Sequence, residues 1–109
     1  MQVSEADFAI SATHRLTAGD VVLRVHNEGP DQHELIVARA PSARLPLRSD
    51  GITVDEEALG HAEVGSLEPG KAGALRELKV HFAPGRYVLF CNMTGHYMGG
   101  MHSTLVVAQ

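Results

Sequence analysis

The sequence predicts an all-β sandwich, on three observations. Apolar and polar residues alternate through at least six short stretches. Glycine, proline, asparagine and aspartate punctuate those stretches at turn positions, and sustained helical periodicity is missing. The 109 residues fit a single domain spanning 1–109, a size that buries about two-thirds of the unfolded chain's surface.

The elements follow in order. Between Asp7 and His14, Phe8, Ile10 and Ala12 recur at every second position and share one face of a predicted strand. Thr17 to Asp20 reads as a turn. Val21 to Asn27 alternates again, with Val21, Leu23 and Val25 on one face and Val22, Arg24 and His26 on the other. Asn27-Glu28-Gly29-Pro30-Asp31 is turn chemistry, and it leads into His33 to Arg39, where Leu35, Ile36 and Val37 predict a strand buried on both faces. From Ala40 to Ala74 prolines and glycines break the pattern. A long irregular connection is expected there, holding short elements and a short helix at Asp55 to Ala58. Leu75 to Phe82 returns to strand, with Leu78, Val80 and Phe82 facing in and Lys79 and His81 facing out. Pro84-Gly85 is a tight turn. Arg86 to Asn92 is a strand with Tyr87, Leu89 and Cys91 on one face. A glycine-rich loop, Met93 to His102, then precedes a final strand, Ser103 to Ala108.

Composition excludes several classes of function. A formal charge of −4 argues against broad binding to a phosphate backbone, so no nucleic-acid partner is expected. No apolar run approaches the ~20 residues of a membrane-spanning helix. The start, MQVSEADFAI, lacks the basic and apolar regions of a signal peptide, as a mature extracytoplasmic domain also would. One cysteine excludes an internal disulfide framework and any zinc site built from several thiolates. That leaves a buried thiol, a nucleophile, an intermolecular bridge or a lone thiolate ligand.

Chemistry concentrates near the C-terminal end. Cys91, His96 and Met101 put a thiol, an imidazole and a thioether on or beside one loop, and Gly95, Gly99 and Gly100 let that loop fold back. Thiolate and thioether are soft ligands suited to Cu(I), while imidazole binds both copper oxidation states. His33, just after a turn at the start of a buried strand, is the candidate for a fourth ligand. Two histidines, one cysteine and a weak axial methionine form the blue-copper electron-transfer arrangement. A catalytic thiol would need a base, for which His96 and His102 are available, and an oxyanion donor, for which no residue stands out. Met98 and Met93 compete with Met101 for the axial place, but Met98 lies only two residues past His96 and is expected to point outward. His14, His26, His61, His81 and His102 read as solvated side chains. The acidic run Asp55-Glu56-Glu57 reads as a solvated face, with steering of a basic partner the weaker reading.

Asn27-Glu28-Gly29, His33, Pro84-Gly85-Arg86-Tyr87, Cys91, His96-Tyr97 and Gly100-Met101 resemble the plastocyanin/azurin-like cupredoxins. The match is specific over residues 86–107, moderate over 21–37 and weak over 41–73. The resemblance implies a Greek-key β-sandwich with one type 1 copper ion held by His33, Cys91, His96 and Met101. It further implies reversible one-electron transfer at a site outside the cytoplasm, in the periplasm or beyond. Many relatives carry Asn directly after the first histidine ligand, tying the two ligand loops together. Glu34 stands there in this chain, which leaves the tie to Asn92 or to backbone groups.

The leading expectation is therefore a monomeric electron carrier whose redox partner proteins dock near His96, Tyr97 and Met98. Tyr97 reads equally as simple packing. One alternative is a periplasmic copper carrier or chaperone, from the crowding of Met93, Met98, Met101, His96 and His102. Another is the electron-transfer domain of a larger copper enzyme. Catalysis by this chain alone is not expected. It has no His-x-His pair for a trinuclear cluster, Asn92 in place of a histidine after Cys91, and one cysteine where a binuclear site needs two.

Overall fold

In the computed structural model, which describes residues 1–109, two mixed sheets face each other. The strands are β1 (Gln2–Ala6), β2 (Ala9–Ala12), β3 (Arg15–Thr17), β4 (Gly19–Asn27), β5 (His33–Arg39), β6 (Glu63–Gly70), β7 (Leu75–Phe82), β8 (Gly85–Phe90) and β9 (His102–Ala108). One sheet has the order β2-β1-β4-β7 and the other β3-β9-β8-β5-β6. Pairing is antiparallel except for β1 with β4 and β3 with β9. A short helix, α1 (Glu56–Leu59), lies in the connection between β5 and β6, where the Asp55 side chain accepts from the Ala58 N–H and caps it.

Alternation along the strands sorts side chains into two apolar clusters. Val3, Leu23, Val25, Leu35, Val37, Val80, Phe82, Tyr87, Leu89, Leu105 and Val107 fill the space between the sheets. On the outer face of the five-stranded sheet, Ile36, Ala38, Val88 and Phe90 pack under Leu45, Val54 and Tyr97. That second layer explains why β5 reads as apolar on both faces: its outer side is covered by the long connection.

Several boundaries differ from the sequence expectation, among them a strand β3 where none is expected and β4 beginning inside the expected turn. The chain turns at Asp7–Phe8, so Phe8 leaves the core face and is 44% exposed, while the strand beyond it shrinks to Ala9–Ala12. β1 escapes the apolar pattern because its inward positions are Val3 and a glutamate, Glu5. β6 lies inside the stretch whose prolines and glycines suggested irregular chain. Its pairing with β5 shifts register between His33 and Leu35, and the extra residue on β6 accommodates Pro69, which has no N–H for the ladder.

Candidate metal centre

The five-stranded sheet brings His33, at the first position of β5, beside Cys91, the residue after β8. The loop from Cys91 to Met101 returns His96 to the same point. Gly95 and Gly100 adopt φ of +83° and +114°, where a branched residue would be strained. Backbone bonds close the loop: His96 N–H to Met93 O (2.9 Å), Met101 N–H to His96 O (3.0 Å) and Cys91 N–H to Met101 O (3.1 Å).

The three donors converge. His33 Nδ1 lies 3.1 Å from His96 Nδ1, and Cys91 Sγ lies 3.5 Å from the same atom. All three residues are buried, and their ligating atoms lie within 4.8 Å of one another. Met101 is fully buried and belongs to the same interior cluster as Cys91. Burial and the neighbouring His33 ring hold His96 below the usual histidine range, which favours the neutral imidazole that ligates. Burial pushes the Cys91 thiol up to about 11, partly offset by N–H groups of Met93 and Glu34.

This donor set fits a single metal ion. Two imidazole nitrogens face each other across a distance that holds at most one proton, with a sulfur beside them. Separations of 3.1 and 3.5 Å suit a first-row ion bound at about 2.0–2.3 Å by nitrogen and sulfur. One thiolate with two imidazoles, and a thioether close by, is a soft-to-borderline set that favours copper over calcium or magnesium.

Several groups that frame the centre carry no signal in the sequence. Asp7, in the β1–β2 turn, sets Oδ1 2.7 Å from His33 Nε2, off the line of a good hydrogen bond, and the same oxygen accepts from the Asp31 N–H at 3.1 Å. Phe8 packs edge-on against the His96 ring, with centroids 5.0 Å apart. Asp31 Oδ2 lies 3.7 Å from His96 Nε2. These contacts depend on where a turn falls, which the local pattern does not specify.

Glu34 itself ties the ligand segments. Its Oε1 accepts the Asn92 N–H at 2.9 Å, joining the residue after His33 to the residue after Cys91. The Asn92 side chain then reaches the other way, accepting from the Val54 N–H (2.7 Å) and donating to Val54 O (3.0 Å) and Glu56 Oε2 (2.9 Å). Tyr97 is 7% exposed, which supports the packing reading of this residue. Its hydroxyl donates to Ala43 O and accepts from the Leu45 N–H, because the ring fills the outer apolar cluster. Met98, at 57% exposure, faces solvent. The remaining histidines stand apart from the centre; His81 pairs with Asp20 at 2.7 Å, and His14 Nδ1 donates to Thr104 O at 3.0 Å.

Solved structures of similar shape share one architecture. No protein-family model and no curated protein sequence matches the chain. A reduced auracyanin from Roseiflexus castenholzii superimposes with a TM-score of 0.72 at 18% identity, over 99% of this chain and 95% of that one. Auracyanin A, a blue copper protein from Chloroflexus aurantiacus, gives 0.69 at 20% identity over 98% and 96%. An azurin from Methylomonas sp. strain J gives 0.69 at 14% identity over 100% and 97%. The chain has the cupredoxin fold. In this cupredoxin sandwich the buried donors sit at one end, where β5 begins and β8 ends. No helix is long and apolar enough to cross a membrane.

Proposed function

We propose that the protein is a type 1 copper protein that carries single electrons between redox partner proteins. The convergence of buried His33, Cys91 and His96 donors on one point carries this reading. His33, Cys91 and His96 are the proposed strong ligands and Met101 the weak axial one, supported by its burial beside Cys91. Copper held there supplies a one-electron Cu(I)/Cu(II) couple.

The chain's own contribution is rigidity and access. Loop-closing backbone bonds and the Glu34–Asn92 link hold the donors in one arrangement, so little rearrangement accompanies a change of charge. Full burial of Cys91, His33 and Met101 supports retention of the metal over its delivery to another protein. His96 retains 7% exposure beneath Phe8 and beside exposed Met98, which makes its edge the proposed route for electrons. A partner is proposed to dock over Phe8 and Met98, at a location outside the cytoplasm.

Titrating the metal-free protein with Cu(II) tests the reading. The expected result is an intense visible thiolate-to-copper band at one equivalent, lost in Cys91→Ser and reversibly bleached over repeated one-electron cycles. Persistence of the band in Cys91→Ser, or loss of copper to a chelating partner at each cycle, overturns it.

A further inference from the structure

We propose that Glu5 is a proton site coupled to the redox state of the metal centre, its carboxylate taking up a proton when the centre gains an electron. The inference rests on the copper reading above and extends it to a residue that holds no metal.

Glu5 lies on β1 with its side chain on the same inward face as Val3, and it is fully buried. Neither carboxylate oxygen has a hydrogen-bond partner. A buried, unpartnered carboxylate strongly favours its neutral form, so Glu5 has no evident structural reason to be a glutamate. Its surroundings offer little compensation. In the same sheet, beyond β4, β7 supplies Arg76, whose guanidinium already donates to His33 O at 3.2 Å and to Glu68 O. On β4, the paired residue Asn27 spends its amide on Asp31 O, Gly70 O and the Gly29 N–H. On β2, the paired residue is the apolar Ile10. Glu34 on β5 adds negative charge that opposes ionisation, and Cys91 beyond β8 in turn feels the charge of Glu5. Burial, outweighing Arg76, raises the carboxyl to about 7, so a small change in nearby charge alters its protonation at neutral pH.

Glu5 stands at the correct end of the sandwich to feel that change. Two residues further on, Asp7 reaches within 2.7 Å of His33 Nε2, and Arg76 bonds the carbonyl of the same histidine. With Cu(II) and the Cys91 thiolate in place, the net charge of the centre is one unit more positive than with Cu(I). The positive charge favours ionised Glu5, and its loss favours the acid. On reduction, a one-electron donor protein supplies the electron, solvent supplies the proton, and an O–H bond forms on Glu5. Reoxidation releases both. By reciprocity, raising the pH favours the oxidised centre. In the limit of one proton per electron, one pH unit changes the Cu(II)/Cu(I) ratio about tenfold at fixed potential.

Spectroelectrochemistry of the copper-loaded protein from pH 5 to 9 tests this, alongside reduced-minus-oxidised infrared spectra. The expected result is a potential that falls with rising pH through neutrality, with a protonated-carboxyl C=O stretch appearing on reduction. In Glu5→Gln the slope and the carboxyl band both disappear while the visible copper band stays. Wild-type protein carrying 13C-labelled glutamate supplies the second measurement: the carboxyl band must move with the label. An unchanged slope in Glu5→Gln, a pH-independent wild-type potential, or a band that ignores the label overturns the inference. In those cases the visible band is present, whereas failure of the copper reading itself shows as its absence, and the inference falls with it.

Discussion

The two faces of the five-stranded sheet do different work. The inner face carries Cys91, Met101 and His33 among aliphatic side chains, and buried Glu5 opposes it from the other sheet. The outer face carries Asn92 and Tyr97 under the connection from residue 40 to residue 62. Because Cβ direction alternates along β8 and into Cys91 and Asn92, adjacent residues serve opposite faces: one presents a proposed metal donor, the next fastens that donor's backbone. The lesson is that the centre is held from behind. The stretch least like a regular fold in sequence, residues 40–62, is the support on which the ligand loop rests.

Breaking that support separates the faces. Asn92→Ala removes the partners of the buried Val54 N–H and C=O, each unsatisfied group costing about 1–3 kcal/mol, and one contact of the partly exposed Glu56. The expected loss is about 4 kcal/mol by urea denaturation of the metal-free protein. The inner-face donors remain, so the Cu(II) band should persist at low temperature. Equal loss of stability and of the band would show that the faces are not separable.

The inner side, through Glu5, should show the largest response to pH. A carboxyl raised from 4.5 to about 7 binds more protons folded than unfolded. Its contribution to stability is full below about pH 4.5 and is lost as pH rises through about 7. At about 1.4 kcal/mol per tenfold this amounts to about 3 kcal/mol. Denaturation of the metal-free wild type, minus that of Glu5→Gln, at pH 4.5 and pH 8 should show a difference of this order. A difference independent of pH would place the ionisation elsewhere.

Smaller effects grade the outer clamp. Tyr97→Phe keeps the ring in its apolar cluster and removes the hydroxyl shared by Ala43 O and the Leu45 N–H, at a cost of about 1–2 kcal/mol. Thermal unfolding measures this, with the copper band unmoved. Glu34→Gln preserves an acceptor for the Asn92 N–H and removes a charge that burial and the nearby Glu56, Glu68 and Glu63 all disfavour. A change within about 1 kcal/mol is expected. A much larger loss would mean that the charge itself holds the two ligand segments together.

Legibility follows the range of the interactions. Strands β4, β5, β7, β8 and β9 were readable because each alternates within itself, and the Cys91-His96-Met101 spacing was readable because one loop holds all three. The short helix expected at Asp55 to Ala58 is present as α1, one residue further on. β1 and β6 were not, since a buried glutamate and a proline broke the local pattern that tertiary pairing restores. Asp7, Phe8 and Asp31 reach the centre only because the β1–β2 turn and the β4–β5 turn meet at the same end of the sandwich.

By itself, the sequence determined a two-layer β fold and a loop bearing one thiol, one imidazole and one thioether, because periodicity and short spacing are local properties of a chain. The tertiary structure alone decided that His33 joins them at 3.1 Å, that Tyr97 turns inward, and that Glu5 lies unpartnered in the core. Each of those depends on which distant strands pair and in what register, and burial and charge are set by those neighbours.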